Sequence, residues 1–216
     1  MKNLIRGHIY QLKKDNFFFG CLALSCVSLF VSIRLSLSLA FADAPVMGIE
    51  ELFNTFLGGD IALYIFMLLT ANMVAEAYRS GVMKNIVGRG IGKKPYYLSI
   101  VLTISAAYVL VMLMGSIVAG ILAGSKFGMG TISYPGYYAL SVVARILFVM
   151  AHISFALTTT IYTRNAITGV IIGLAIPNIP KILEMVLGFL RIQIDLDFIK
   201  ISTHMPSVYA ASNDLS

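Results

Sequence analysis

Five long apolar segments, separated by short polar stretches, constrain the fold of this chain more than any other feature. They cover residues 17–41, 61–77, 96–124, 138–162 and 166–190, and residues 56–59 can extend the second. A helix that crosses a bilayer needs about 20 mostly apolar residues, and its backbone polar groups must be satisfied within the helix. Hydrophobic residues make up 58 % of the chain and charged residues only 12 %, well outside the usual range for soluble domains. The sequence therefore predicts an all-α membrane protein, a polytopic transmembrane helix bundle with five visible spans.

The basic residues predict how these spans are oriented. With the N-terminus in the cytoplasm, ten of the sixteen Lys and Arg lie inside: four before the first span, five in the loop 79–94 and one at Arg164. Lys126, Arg191 and Lys200 lie outside, and the remaining three lie within spans. Cytoplasmic loops carry an excess of Lys and Arg. We therefore expect a multi-pass protein of the cell membrane with a cytoplasmic N-terminus.

Three segments flank or interrupt the apolar runs. Residues 1–16 place Leu4, Ile5, Ile9 and Leu12 at helical spacing beside basic residues, which is typical of an amphipathic helix on the anionic inner leaflet. A charged leader without helical structure is the alternative. Residues 43–59 combine acidic and aromatic side chains, which favours an external interfacial helix, and residues 191–216 form an extracellular segment that alternates as a strand does. The transmembrane domain proper is residues 17–190.

The sequence lacks the motifs of several functional classes. A phosphate loop requires glycine five residues before Gly-Lys and then Ser or Thr, whereas Val87 and Lys94 occupy those two places. A membrane protease of the paired-glutamate type could use Glu50, Glu51 and His152, but Thr55 stands where its arginine is expected. No basic face with interleaved aromatic residues is present outside the spans, which argues against nucleic-acid binding. The chain is therefore predicted to be neither an enzyme nor a metal protein, and to contain no cofactor.

Polar residues within the spans are candidates for a translocation path. Arg145 and His152 are seven residues apart and share one face of the fourth span. An arginine in mid-membrane is costly, so it should face the protein interior, either at a cavity or in an internal ion pair or carbonyl-bonded anchor. Ser32 and Ser36 lie on a stripe of small polar residues that also suits close helix packing. Asn178 lies in the Pro177–Pro180 break of the fifth span, which fits either a movable element or a static kink.

The start of the chain and the loop after the second span carry a resemblance to a known family. The opening MKNLIRGHIYQLKKD, leading into an aromatic-rich span, resembles the start of type 2 ATP-binding-cassette (ABC) exporter permeases. The loop, residues 76–95, resembles the cytoplasmic coupling loop of that family. The residues that match its pattern of acid, glycines and basic side chains are Glu76, Arg79, Gly81, Lys84, Gly88 and Arg89. Gly81 and Gly88 would allow bends around a short helix at 82–87, and Glu76 can pair with Arg79.

The resemblance implies how the protein works and with what. It implies a permease subunit of six helices that pairs with a second copy or a homologue and docks separate ABC ATPase subunits, which would bind ATP and Mg. Residues 1–16 would be the cytosolic interface helix, and residues 76–95 would contain the coupling helix. Five spans are visible and a sixth is not, so either the chain is a truncated product or its topology differs. Small permeases of this kind resemble exporters of antimicrobial peptides and lantibiotics, and a stand-alone immunity or binding protein is the alternative.

Overall fold

The computed structural model describes residues 2–39, 48–88, 90, 92–130, 135–175 and 179. Of these, 92 % are helical and none lies in a strand, which confirms the predicted all-α class. The helices are α1 (Lys2–Lys14), α2 (Asn16–Leu39), α3 (Gly48–Leu57), α4 (Asp60–Arg79), α5 (Val82–Gly88), α6 (Lys93–Phe127), α7 (Pro135–Thr163) and α8 (Ala166–Ala175).

Four of the described segments are long and apolar enough to cross a bilayer. They are Asn16–Leu35, Gly48–Arg79, Lys94–Phe127 and Tyr138–Thr163, and they indicate a multi-pass membrane protein. They correspond to the first four predicted spans. Helix α8 covers the start of the fifth, whereas residues 176–178 and 180–216 lie outside the described residues.

The second span is longer than the sequence predicts, because α3 and α4 run one after the other along α6. The N-terminal end of α3 meets the far end of α6, where a Cβ on Gly48 would lie 2.8 Å from the Gly120 carbonyl oxygen and from the Gly124 Cα. At the other end, the Tyr78 and Tyr97 hydroxyls are 2.9 Å apart. The segment 43–59 therefore supplies a helix that packs along α6, and not only an interfacial one.

Glycine makes this close approach of α3 possible. Gly48 and Gly120 let the two backbones come nearer than any side chain would allow, as small residues do in membrane helix packing. The backbone amides of Gly48 and Ile49, which lack partners within α3, donate to the carbonyls of Gly128 and Met129 at 3.0 and 3.1 Å. These bonds satisfy two of the amides that have no partner within the first turn of α3.

Helix α4 occupies the centre of the bundle. Twelve of its residues are buried, among them Phe66 and Leu69, and it contacts α2, α6 and α7. Helix α8 folds back on α7, where the Thr159 hydroxyl donates to the Gly169 carbonyl at 2.6 Å. The outer faces carry large exposed apolar side chains, such as Leu110 on α6 and Leu147 on α7. Apolar side chains on the outer faces suit a bundle whose solvent is lipid.

Candidate functional site

The turn between α4 and α5 is the first feature that bears on function. The Ser80 amide and hydroxyl both donate to the Glu76 carbonyl, at 2.8 and 2.7 Å, which ends α4. Gly81 follows with φ +72°, a left-handed conformation that a residue with a Cβ adopts only at a cost. Helix α5 then begins at Val82, so the short helix predicted at 82–87 is confirmed and ends one residue later.

Four of the six predicted coupling residues are exposed at the end of α4 and in α5. Glu76, Arg79, Lys84 and Gly88 are all exposed, and nothing lies within 4 Å of a Cβ built on Gly88. We call these four residues the α5 surface. The predicted ion pair between Glu76 and Arg79 is absent from the described part of the chain, where Asp60 and Arg145 form a salt bridge instead. Arg89 lies outside the described residues.

Helix α1 packs against the start of α6. Its buried face carries His8 and Leu12, each 5 % exposed, and the His8 ring lies 5.1 Å from the Tyr96 ring. Burial lowers the pKa of His8 from its ordinary value, and a hydrogen bond with Gln11 opposes that shift only in part. Within the predicted amphipathic segment 1–16 a helix is present at Lys2–Lys14, and one side of it is covered by protein.

A second polar cluster lies where α3 gives way to α4. The Arg145 guanidinium, 3 % exposed, donates from Nη1 to Asp60 Oδ1 at 2.9 Å and from Nη2 to the Tyr108 hydroxyl at 2.9 Å. The Tyr108 hydroxyl in turn donates to the Gly59 carbonyl at 3.1 Å. Arg145 is thus the anchor of an internal ion pair, one of the two interpretations that the sequence left open. It joins α7, α6 and the break between α3 and α4.

The other predicted path residues do not join this cluster into one channel. His152 is buried two turns further along α7, and its Nδ1 lies 3.0 Å from the Phe148 carbonyl oxygen of its own helix. The Ser32 hydroxyl is exposed and donates to the Ser28 carbonyl of its own helix at 2.9 Å. The side chain of Ser36 and all of Asn178 lie outside what the structure describes.

Ser32 does line a small polar cavity of about 140 Å³ between α2 and the α3–α4 break. Helix α3 contributes Glu51, which is 3 % exposed, together with Asn54 and Thr55, and Gly58 and Gly59 complete the wall. The Thr55 hydroxyl lies 3.4 Å from Glu51 Oε1. The described residues contain no group of three or more His, Cys, Asp or Glu arranged to hold a metal ion.

Sequence reasoning missed three of these residues as functional partners. Asp60 and Tyr108 complete the Arg145 cluster, and Tyr97 joins α6 to α4 through Tyr78. Asp60 carried a usable signal, because a charge that follows two glycines at the start of a span has few ways to be satisfied. Tyr108 and Tyr97 carried none, since tyrosines are common in apolar helices.

Comparison with protein-family models, curated proteins and solved structures finds no match to this chain.

Proposed function

We propose that this chain is the membrane-spanning permease subunit of an ATP-driven exporter of the ABC type, with ATP hydrolysis on a separate partner chain. The observation that carries the proposal is the α5 surface. A short helix stands between two long apolar helices, and Glu76, Arg79, Lys84 and Gly88 are exposed around it. A helix of this kind offers a soluble partner a surface to bind. A partner bound there could displace the two long helices on either side of α5.

The ends of α4 and α6 are joined where such a force would enter. Tyr78 and Tyr97 share a hydrogen bond of 2.9 Å directly beside α5, so a displacement of α5 acts on both helices at once. Helix α6 has 35 residues and is about 52 Å long at 1.5 Å per residue, well beyond the roughly 30 Å of a hydrocarbon core. It can therefore carry a movement from one side of the membrane to the other.

A movement of α4 could change its position relative to α3 at the break between these two helices. Gly58 and Gly59 separate the two helices, and the Arg145 cluster attaches the break to α6 and α7. A shift of α4 relative to α3 would open or close the polar cavity that Glu51 lines. Transport by alternating exposure of such a cavity needs only small sliding of packed helices.

The orientation and the partners complete the proposal. The distribution of Lys and Arg supports a cytoplasmic N-terminus in the cell membrane, which puts α1, α5 and the start of α6 on the side where ATP is available. ATP and Mg would be bound by the ATPase subunits. A second permease copy or a homologue would complete the transporter, and α1 would lie at the junction of membrane and ATPase.

The test is to measure ATPase copurification and substrate efflux together in two coupling variants. Arg89→Glu reverses a charge beside α5, and Gly88→Trp adds bulk where the described structure leaves open space. Both should lower efflux and the yield of bound ATPase while leaving expression intact, because neither residue lies within a span. Arg164→Glu is the matched control, since it reverses an exposed charge in the α7–α8 turn.

Two results would contradict the proposal. If no ATPase copurifies with the unaltered protein, and protection of the cell persists after the candidate ATPase genes are deleted, the chain acts alone as a membrane binding or immunity protein. If docking and efflux are normal in both coupling variants, the ATPase contacts a different surface.

A further inference from the structure

Helix α1 lies at the level where the bundle enters the membrane. Asp15 separates it from α2, and the Asp15 carbonyl accepts from the Phe18 amide at 3.1 Å, so the chain passes into the first span without a loop. The His8 ring contacts the ring of Tyr96, which lies two residues after the start of the candidate span Lys94–Phe127. Tyrosine is enriched at the boundary between headgroups and acyl chains. Helix α1 therefore stands beside α6 in the layer of the lipid headgroups.

The face of α1 that points away from α6 is cationic. Arg6, Tyr10 and Lys13 follow one another at positions i, i+4 and i+7 of the helix, so they share one face, and all three are exposed. The buried residues His8 and Leu12 lie on the opposite face. We call Arg6, Tyr10 and Lys13 the α1 stripe. The sequence of α1 contains no Asp or Glu, so the helix itself does not neutralise the charge of the stripe.

Further positive charge and an exposed aromatic ring adjoin the α1 stripe. The Lys14 ammonium lies 4.9 Å from the centre of the Tyr10 ring. Phe17, one helical turn after Lys13, is 38 % exposed at the start of α2. The carboxylate of Asp15 accepts from the Phe17 amide at 2.8 Å, so it caps α2. A row of cations that ends at an exposed apolar ring matches the build of an anionic lipid, whose charged head lies above its acyl chain.

We propose that the α1 stripe binds anionic phospholipids, with the headgroup phosphate against Arg6 and Lys13 and the acyl chain beside Phe17. Basic residues near a membrane surface attract anionic lipids, and the Arg6 guanidinium and the Tyr10 hydroxyl can donate hydrogen bonds to phosphate oxygens. The helix meets the lipid through its cationic face, because its apolar face is covered by protein. An acidic soluble protein is a poorer fit, since it would have to displace the headgroups from this layer. This lipid site does not depend on the proposed export function.

The chain contains no tryptophan, so Phe17→Trp introduces a specific reporter beside the α1 stripe. The full-length protein is placed in phosphatidylcholine nanodiscs that contain a small share of lipid with brominated acyl chains, either phosphatidylglycerol or phosphatidylcholine. At low salt we expect brominated phosphatidylglycerol to bind beside the reporter about fivefold more tightly than brominated phosphatidylcholine, or more, since one basic residue near the surface gives about that factor. Leu140→Trp, exposed on α7 near the opposite end of the bundle, should be quenched equally by the two lipids.

Charge substitutions in the Phe17→Trp background assign the lipid preference to α1. Arg6→Gln combined with Lys13→Gln should abolish the preference, and both side chains are exposed, so the protein should still fold. The matched control is Lys84→Gln combined with Arg164→Gln, which removes two exposed charges outside α1 and should leave the preference unchanged. Lys13→Arg keeps the charge and should also leave it unchanged. Salt at about 1 M, where the Debye length is about 3 Å, should weaken the preference of the unsubstituted stripe.

Equal binding of the two lipids beside the Phe17→Trp reporter would overturn the proposal, as would retention of the preference after Arg6→Gln and Lys13→Gln. An equal loss in the control with Lys84→Gln and Arg164→Gln would also overturn it, because the preference would then follow the net charge of the protein. If the Arg6→Gln, Lys13→Gln protein loses bound ATPase while its lipid preference is unchanged, the α1 stripe contacts a protein rather than a lipid. The lipid measurements contain no ATPase, so this proposal and the proposed function can fail separately.

Discussion

The ion pair between Asp60 and Arg145 should respond asymmetrically to loss of its two partners. The Arg145 side chain is 3 % exposed and the Asp60 side chain is 57 % exposed. Asp60→Ala leaves a guanidinium buried without its counter-charge, and breaking a buried pair from one side costs about 3–5 kcal/mol. Because Asp60 is half in solvent and Tyr108 still accepts from Arg145, we expect the lower end of that range, about 3 kcal/mol.

Removing Arg145 should be far milder. Arg145→Met keeps an unbranched apolar stem and releases Asp60 to solvent, at the cost of about 1 kcal/mol for the lost hydrogen bond to Tyr108. Within the described structure Arg145 Nε is buried without an acceptor, so its removal also eliminates an unsatisfied donor. The net change should lie within about 1 kcal/mol of zero. The double variant should match Arg145→Met, which gives a coupling energy equal to the Asp60→Ala effect, about 3 kcal/mol.

The assay is reversible unfolding in mixed micelles, followed by far-ultraviolet circular dichroism across a double-mutant cycle. Glu50→Ala, which removes an exposed carboxylate on α3, is the matched control and should change the free energy of unfolding by less than about 0.5 kcal/mol. The reasoning is refuted if Arg145→Met costs as much as Asp60→Ala, or if the two single effects simply add.

Three further outcomes are expected. In a background without native cysteines, a cysteine introduced at Ser80 should not react with an impermeant thiol reagent in intact cells, whereas one introduced at Gly130 should react. The reverse labelling pattern would show that the predicted topology is inverted. Gly48→Ala should destabilise the bundle by on the order of 2 kcal/mol, because its Cβ would lie 2.8 Å from the α6 backbone. Gly20→Ala is the control: no atom lies within 4 Å of a Cβ at Gly20, so this substitution should be neutral or stabilising in the same unfolding assay. Burial lowers the pKa of His8, so α1 should stay fully docked above the ordinary value of 6.5 and loosen as the pH falls below it toward the lowered value. Faster proteolysis of α1 at pH 5 than at pH 8 checks this, and His8→Phe should remove the difference; equal rates in the unaltered protein would contradict it.

The sequence alone was sufficient to predict the all-α class, the first four spans and the short helix α5. These features are local. A run of about 20 apolar residues has almost no alternative to a membrane helix. Gly81 likewise marks the turn before α5, because its φ of +72° suits glycine.

The contacts between helices could not be predicted in the same way. Arg145 and Asp60 are 85 positions apart, and nothing in either segment specifies the rotation and register that bring them to 2.9 Å. The position of α3 likewise depends on the fit of Gly48 against Gly120, a contact between surfaces that sequence periodicity does not encode. The sequence places Glu51 in an external segment, whereas its position on the wall of a polar cavity follows only from how α3 packs. Hydrophobic length determines which segments enter the membrane, but close packing of one helix surface against another determines which polar groups meet there.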